Sequence, residues 1–334
     1  MRKRGAIEIQ FNWILILVVG AAIIAMVTVF ISKQQGISTI STDILAASSL
    51  DAIFHGYGGI GVSGVIWLPK SKVSFNCNSF SIDGISKQIG TLSLFSPYSL
   101  ETDKLNILSF GWDMPYRITN FVYTTSPDVR YIFIGNSDFA REVFEKVRGK
   151  IRADGFTNLQ AVEDENDAIV RLIFFGKDPE MPESLKTGEN TVTSLKVEGD
   201  KNRGIIEFFD LVDGKFESRG KSYYVKEASL LGAVFSDNEG IYKCNMEKGF
   251  NKLKIISQIY NKKVNNIVEQ YRNPEENNVC RDFYQSNLLA ISDSISYLSS
   301  FDSQTYDYED AVKAAVEIKK INSEADALSC ILIY

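Results

Sequence analysis

The residue types that could do chemistry fall into four places in this chain of 334 residues. Gly135-Asn136-Ser137-Asp138 stands between an apolar strand and an amphipathic helix. Backbone N–H groups at a helix start, set above the carboxyl end of a parallel strand, form an anion-binding position in α/β proteins. Asn136, Ser137 and Asp138 are therefore the candidate ligand-binding residues; the plain alternative is that one of them simply caps the helix. Glu163-Asp164-Glu165-Asn166-Asp167 offers oxygen ligands of the type calcium takes, but it lacks the alternation and the sharp-turn Gly of an EF-hand loop and reads as a solvated acidic loop. His55 is the sole histidine. A Ser-His-Asp triad or a zinc hydrolase would have to use it, yet it ends a helix, where its charge complements the helix C-terminus. The fourth place is the set of four cysteines.

Cys77, Cys244, Cys280 and Cys330 form an even set without a C-x-x-C. Structural zinc needs clustered Cys and His, so no metal is expected, and no cofactor or catalytic residue is assigned. In an oxidising compartment disulfides are the default. A straight helix over Phe250–Tyr271 would hold Cys244 and Cys280 about 33 Å apart, whereas bonded cysteines bring their Cα atoms within about 7 Å. A helix at Tyr308–Ile321, antiparallel to one at Val279–Ser300, carries the chain back towards Cys280, so the expected pairs are Cys280–Cys330 and Cys77–Cys244, the latter joining two strand regions.

These residues need elements to hold them. A basic cluster, Arg2-Lys3-Arg4, precedes an apolar run from Phe11 to Ile31 interrupted only by Asn12. As a helix the run is about 31 Å long, which matches a bilayer core of about 30 Å. The positive-inside rule then keeps the N-terminus cytoplasmic and exports the chain beyond Lys33, giving a single-pass cell-membrane protein with membrane lipid as one partner through residues 11–31. Net charge is −6 and the only basic cluster is at the N-terminus, so no nucleic acid is expected as a partner.

At Arg4-Gly5-Ala6-Ile7 the chain resembles the class III signal of archaeal type IV pilin-like proteins. The resemblance implies cleavage after Gly5, leaving Ala6 as the new N-terminus and Glu8 as an early acidic residue. The longer run GAIEIQFNWILILVVGA, with WDMPYRITNFVYTTSPDVRYIFIG and the C-terminal SCILIY, is similar to a group of uncharacterised membrane-anchored archaeal proteins, a likeness that brings no activity with it.

Further along, apolar residues from Ile37 to Phe54 keep helical spacing, and the glycines of Gly56–Gly61 are expected to stop that helix. Short Val-, Ile- and Phe-rich runs come next at Val62–Leu68, Val73–Cys77, Phe80–Ile82, Thr91–Phe95, Leu105–Trp112 and Tyr116–Thr125, which predict an antiparallel sheet. The aromatics Trp67, Trp112, Tyr116, Phe121 and Tyr123 in these runs mean core or cross-strand packing; lining a carbohydrate or peptide groove is the other use. Val129–Ile134, a helix over Phe139–Ala153 and Ile169–Phe175 read as strand, helix and parallel strand, with a short strand at Thr157–Val162 between. Val192–Val197, Gly204–Phe209, Lys215–Ser218, Tyr223–Lys226 and Leu230–Phe235 read as hairpin strands, with Asp213-Gly214 as a turn. After Gly240 the pattern is helical, and the apolar end Cys330–Tyr334 is expected to dock on the core as a helix or strand.

The fold class is α/β or α+β: a transmembrane helix, a mixed-sheet ectodomain with one βαβ-like unit and a C-terminal helical segment. The organisation divides into 1–35 (basic tip and anchor), 36–60 (juxtamembrane helix and Gly-rich linker), 61–127 (strand-rich), 128–239 (α/β) and 240–334 (helical). The function this implies is a surface protein with a structural or interaction role, engaging a protein partner or its own copies. The alternatives are a type IV pilin-like subunit and a cell-surface ligand-binding protein or enzyme using the 129–175 unit. N-terminal sequencing of the membrane-extracted protein should begin at Ala6; an intact Met1 leaves the anchor without the processing.

Overall fold

The computed structural model describes residues 26, 43–163, 168–186, 190–271, 279–301 and 308–334. Among them no helix is long and apolar enough to cross a membrane. The run at 11–31, apart from Met26, and the processing residues Gly5, Ala6 and Glu8 lie outside the described residues. The described residues form a mixed α/β fold of two six-stranded mixed sheets and six helices.

The first helix, α1, is described over residues 43–60 and buries Ala47, Leu50 and Phe54 against the first sheet. It runs through the glycines expected to stop it. Gly58 lies so close to Leu92 that a Cβ there would stand 2.6 Å from the leucine Cδ1. This tight contact offsets the entropy a glycine costs a helix. The stop comes at Gly61, whose φ of +67° favours glycine, and Asn120 donates to the carbonyls of Gly58 and Gly59.

The first sheet comprises β1 (Gly64–Phe75), β2 (Ser79–Ile82), β3 (Ile85–Gln88), β4 (Leu94–Phe95), β5 (Ser99–Asp113) and β6 (Arg117–Thr125), in the order β3-β2-β1-β5-β6-β4. All pairs are antiparallel except β4 with β6. Pro69 does not divide two strands as expected. The register shifts between Trp67 and Ser71, so one strand absorbs the proline as an irregularity. The sequence reading also missed β3, whose hairpin turn, Asp83-Gly84, has positive φ at both positions.

The second sheet comprises β7 (Val129–Ile134), β8 (Ala153–Phe156), β9 (Ile169–Phe175), β10 (Thr191–Gly199), β11 (Arg203–Val212) and β12 (Lys215–Val225), in the order β12-β11-β10-β9-β7-β8. Strands β8, β7, β9 and β10 are mutually parallel, and β11 and β12 close the sheet as hairpins. Helix α2 (Asp138–Val147) is shorter than predicted because the chain turns at Gly149, φ +73°. The short strand after it is Ala153–Phe156; Leu159–Ala161, inside the stretch where it was expected, is a 3-10 turn.

The largest departure is Leu230–Phe235, expected as a strand. It belongs to helix α3 (Lys226–Phe235), in which every residue from Ala228 to Phe235 is buried. A run that is apolar on all sides shows neither helical nor strand periodicity, while Glu227, Ala228, Leu230, Leu231 and Ala233 favour helix. Helix α3 packs against β4, β5 and β6 of one sheet and β11 and β12 of the other. At Gly232 it passes so close to Phe95 that a Cβ would meet the ring at 2.7 Å. Tyr123 of the first sheet donates to the Ala228 carbonyl at 2.7 Å, and Trp112 to Val225 at 2.9 Å. From the second sheet Arg171, only 1% exposed, reaches the other end of the helix: Nη2 donates to the carbonyls of Ser236 (2.6 Å) and Ala233 (3.2 Å), and Nη1 to Asp237 (3.4 Å).

Three helices complete the fold: α4 (Glu239–Gln270), α5 (Val279–Ser300) and α6 (Tyr308–Ala327). Asn245 of α4 accepts from the amide of Leu94, which fastens the helix to β4. The C-terminal residues dock as predicted but in irregular conformation: Ile333 is buried, Asn322 accepts from the amides of Ile333 and Tyr334, and Tyr284 donates to the Ile331 carbonyl. Cys77–Cys244 and Cys280–Cys330 are bonded, with Cα separations of 5.9 and 5.5 Å. Cys244 lies on α4 rather than in a strand region, because that helix begins at Glu239. One hydrophobic cluster runs from Ala47 to Ile333 through both sheets, and a smaller one, with Ile132, Leu172 and Phe174, covers the opposite face of the second sheet.

Replacing Arg171 with Met should lower stability by about 3–5 kcal/mol, because it strands the carbonyls of α3 and the neighbouring Asp237 without their cation. Arg171→Lys should recover only part, one ammonium being unable to span three carbonyls as the planar guanidinium does. Urea unfolding followed by Trp fluorescence measures both; an unchanged midpoint would mean that the end of α3 is satisfied without Arg171.

Candidate functional site

Asn136, Ser137 and Asp138 lie together just beyond the carboxyl end of β7. There the chain leaves for β8 on one side of the strand and returns to β9 on the other. Ser137 is the N-cap of α2, and its Oγ accepts from the Ala140 amide at 3.1 Å. Asp138 is exposed and pairs with Arg141 at 3.4 Å. Asn136 and Ser137 border a shallow groove of about 200 Å³ with Phe133, Arg141 and Phe156. The hydroxyl is thus engaged in holding the helix start, and the groove offers a ligand the Arg141 side chain.

The other sequence candidates divide between packing and surface. His55 is exposed, its Nδ1 lying 2.9 Å from the Asp51 carbonyl and 3.4 Å from the Asp51 carboxylate, one helical turn back. Of the acidic stretch only Glu163 is described, and its backbone carbonyl accepts from Arg130 at 2.7 Å. Arg130 also bonds Asp154 at 2.6 Å, so its cation ties β7 to β8. Trp112, Tyr116, Phe121 and Tyr123 are core residues; Trp67 alone of the five is exposed, at 71%, with Lys104 over its ring. Among the described residues no group of three or more His, Cys, Asp or Glu is placed to hold a metal ion.

Two features lay beyond the reach of sequence pattern. Lys248 and Lys252 on α4 turn inward: Lys248 donates to the carbonyls of Cys77 and Leu92, and Lys252 to the Thr119 hydroxyl. Burial, with Lys252 nearby, pushes the Lys248 ammonium down to about 8. The second is a cavity of about 390 Å³ at the start of α3, bordered by Lys146, Lys201, Lys226 and Lys319. These lysines come from α2, the β10–β11 turn, α3 and α6, so no spacing along the chain announces them.

Comparison with protein-family models, with curated proteins and with solved structures gives no match.

The inward lysine and the buried tyrosines set the pH dependence of folding. Below pH 8 Lys248 is charged in both states and the cost of burying that charge is carried in full; from about pH 8 upwards the unfolded chain keeps a proton the folded one has released, so stability rises. Burial raises Tyr123, Tyr131 and Tyr242 above their ordinary 10.0, so beyond that pH the unfolded chain ionises first and stability falls. The urea midpoint should therefore climb between about pH 8 and 10 and drop above it. Lys252 and Lys226, also lowered by burial, share in the climb, so Lys248→Met should reduce it and leave the drop; a climb unchanged in the variant assigns it to those two lysines.

Proposed function

We propose that this chain is a membrane-anchored surface protein, held by a helix at residues 11–31 with its N-terminus cytoplasmic, whose extracytoplasmic head serves a structural or interaction role. The observation that carries the reading is the cysteine chemistry. All four cysteines are paired and none remains free. Such pairing belongs to an oxidising compartment, and the basic cluster ahead of the apolar run supplies the topology that reaches it. The head also suits a display role. One core joins both sheets to the helices, and the cysteine-bearing segments are cross-linked, which favours a rigid body over a moving one. A protein partner, or a second copy of the chain, is the class of ligand such a head presents itself to.

A membrane-impermeant amine-reactive biotin tests the topology on intact cells. The exposed lysines Lys262 and Lys263 of α4 should be labelled without lysis, and the protein should stay with the membrane through a carbonate wash. Labelling that appears only after lysis would overturn the reading.

A further inference from the structure

Four lysines in one cavity are unexpected in a chain with a net charge of −6. The charges there do not cancel. Two acids line the cavity, and each has its own cation: Glu227 with Lys146 at 2.8 Å and Asp113 with Arg117 at 3.3 Å. Lys201, Lys226 and Lys319 are left over, and none of them makes an ion pair among the described residues. Lys226 donates only to the neutral Asn202 side chain at 3.0 Å. Its ammonium is pushed down by burial and by Lys319, against the pull of the Asp200 and Asp113 carboxylates, neither of which bonds it.

Two backbone features strengthen the case. Lys226 stands at φ +68°, a conformation that L residues rarely hold, with its amide donating to the Asn202 carbonyl at 2.7 Å. The N-cap of α3 is Val225, which has no side-chain oxygen for the amides of Glu227 and Ala228, and both of these residues line the cavity. The lining also includes the apolar residues Phe110 and Pro115, half-buried, and Val316, exposed. No lining residue is shared with the groove beside Ser137.

We propose that this cavity is a binding site for a small organic anion, with a carboxylate or phosphate group held by Lys201, Lys226 and Lys319 and an apolar body lying against the accessible apolar lining at Phe110, Pro115 and Val316. The volume falls in the range of small-molecule sites, and the pairing of a few convergent polar groups with an apolar wall is their usual composition. Because Lys201 and Lys319 are exposed, much of the attraction is open to screening by salt.

Isothermal titration of the full chain in detergent micelles tests this with phenyl phosphate, 3-phenylpropionate and the neutral 3-phenylpropanol. At least one of the two anions should bind roughly tenfold tighter than the alcohol, and which one does so separates phosphate from carboxylate as the preferred group. Raising salt from about 50 to about 500 mM should weaken that binding. Lys226→Gln and Lys319→Gln should each weaken it roughly fivefold or more, while Lys262→Gln, on α4 away from the cavity, should leave it unchanged. Lys319 is exposed on α6, so its variant gives an answer even if the strained Lys226 position does not tolerate change. Equal affinity for the anions and the alcohol, no binding of any probe, or Lys319→Gln binding like the wild type would overturn the proposal.

Discussion

A helix can be buried whole only if something answers the carbonyls at its end. Helix α3 has no solvent on any side from Ala228 to Phe235, so its last carbonyls need a donor from within the protein. The Ser236 amide and hydroxyl answer Gly232, and Arg171 answers Ala233 and the two carbonyls that follow the helix, Ser236 and Asp237. Arg171 rises from the middle of β9, lies 5.6 Å from the Phe208 ring centroid and spreads its guanidinium over three carbonyls. An isolated cation in such a place would be costly, but the negative end of the helix dipole and the nearby Asp237 carboxyl compensate it. Burial pushes that carboxyl up from its ordinary range, against the pull of Arg171 and the Tyr98 amide. The rest of the architecture depends on this arrangement. With Arg171 of the second sheet at its C-terminal end and Tyr123 and Trp112 of the first donating to the carbonyls of Ala228 and Val225, α3 holds two sheets on one core.

Local signals in the sequence were faithful where packing did not override them. Ile169–Phe175 and Val279–Ser300 were legible to the residue, because each carries a long run of one pattern between clear breaks. Asp83-Gly84 carries the same turn signature as Asp213-Gly214, and only the short, half-polar strand beside it hid the hairpin. Pro69 and the glycines of α1 misled for a common reason. Each is a local penalty that a tertiary contact outweighs: a register shift for the proline, Leu92 against Gly58 for the helix. Helix α3 escaped because complete burial erases periodicity, the property from which secondary structure is read. The cysteine pairing was legible through geometry instead, since a long helix sets the distance between its ends whatever its side chains do.

The sites divide along the same line. Ser137 was visible because an N-cap is a matter of three or four neighbouring residues, and it does cap α2. Lys146, Lys201, Lys226 and Lys319 each look like ordinary surface lysines in sequence; only the folded chain brings them to one cavity. The structure instead explains the single charged residue in β7. Arg130 faces the smaller cluster and serves as a tie to Asp154 and the Glu163 carbonyl.

The two disulfides also determine how this molecule would carry a mechanical load. Held near one end and pulled at the other, the chain transmits tension along its covalent path, and each bridge short-circuits that path. Tension would pass from α1 along the first strand to Cys77, cross to Cys244, run along α4 to Cys280, then cross again to Cys330. The segments enclosed, with separations of 167 and 50 residues, would bear almost none of it. Most of both sheets, all of α3 and the body of α5 and α6 lie inside those two rings. Under traction, the elements left to bear the load are α1, the first strand and α4 between Cys244 and the end of the helix, while the other strands of both sheets lie off the line of force.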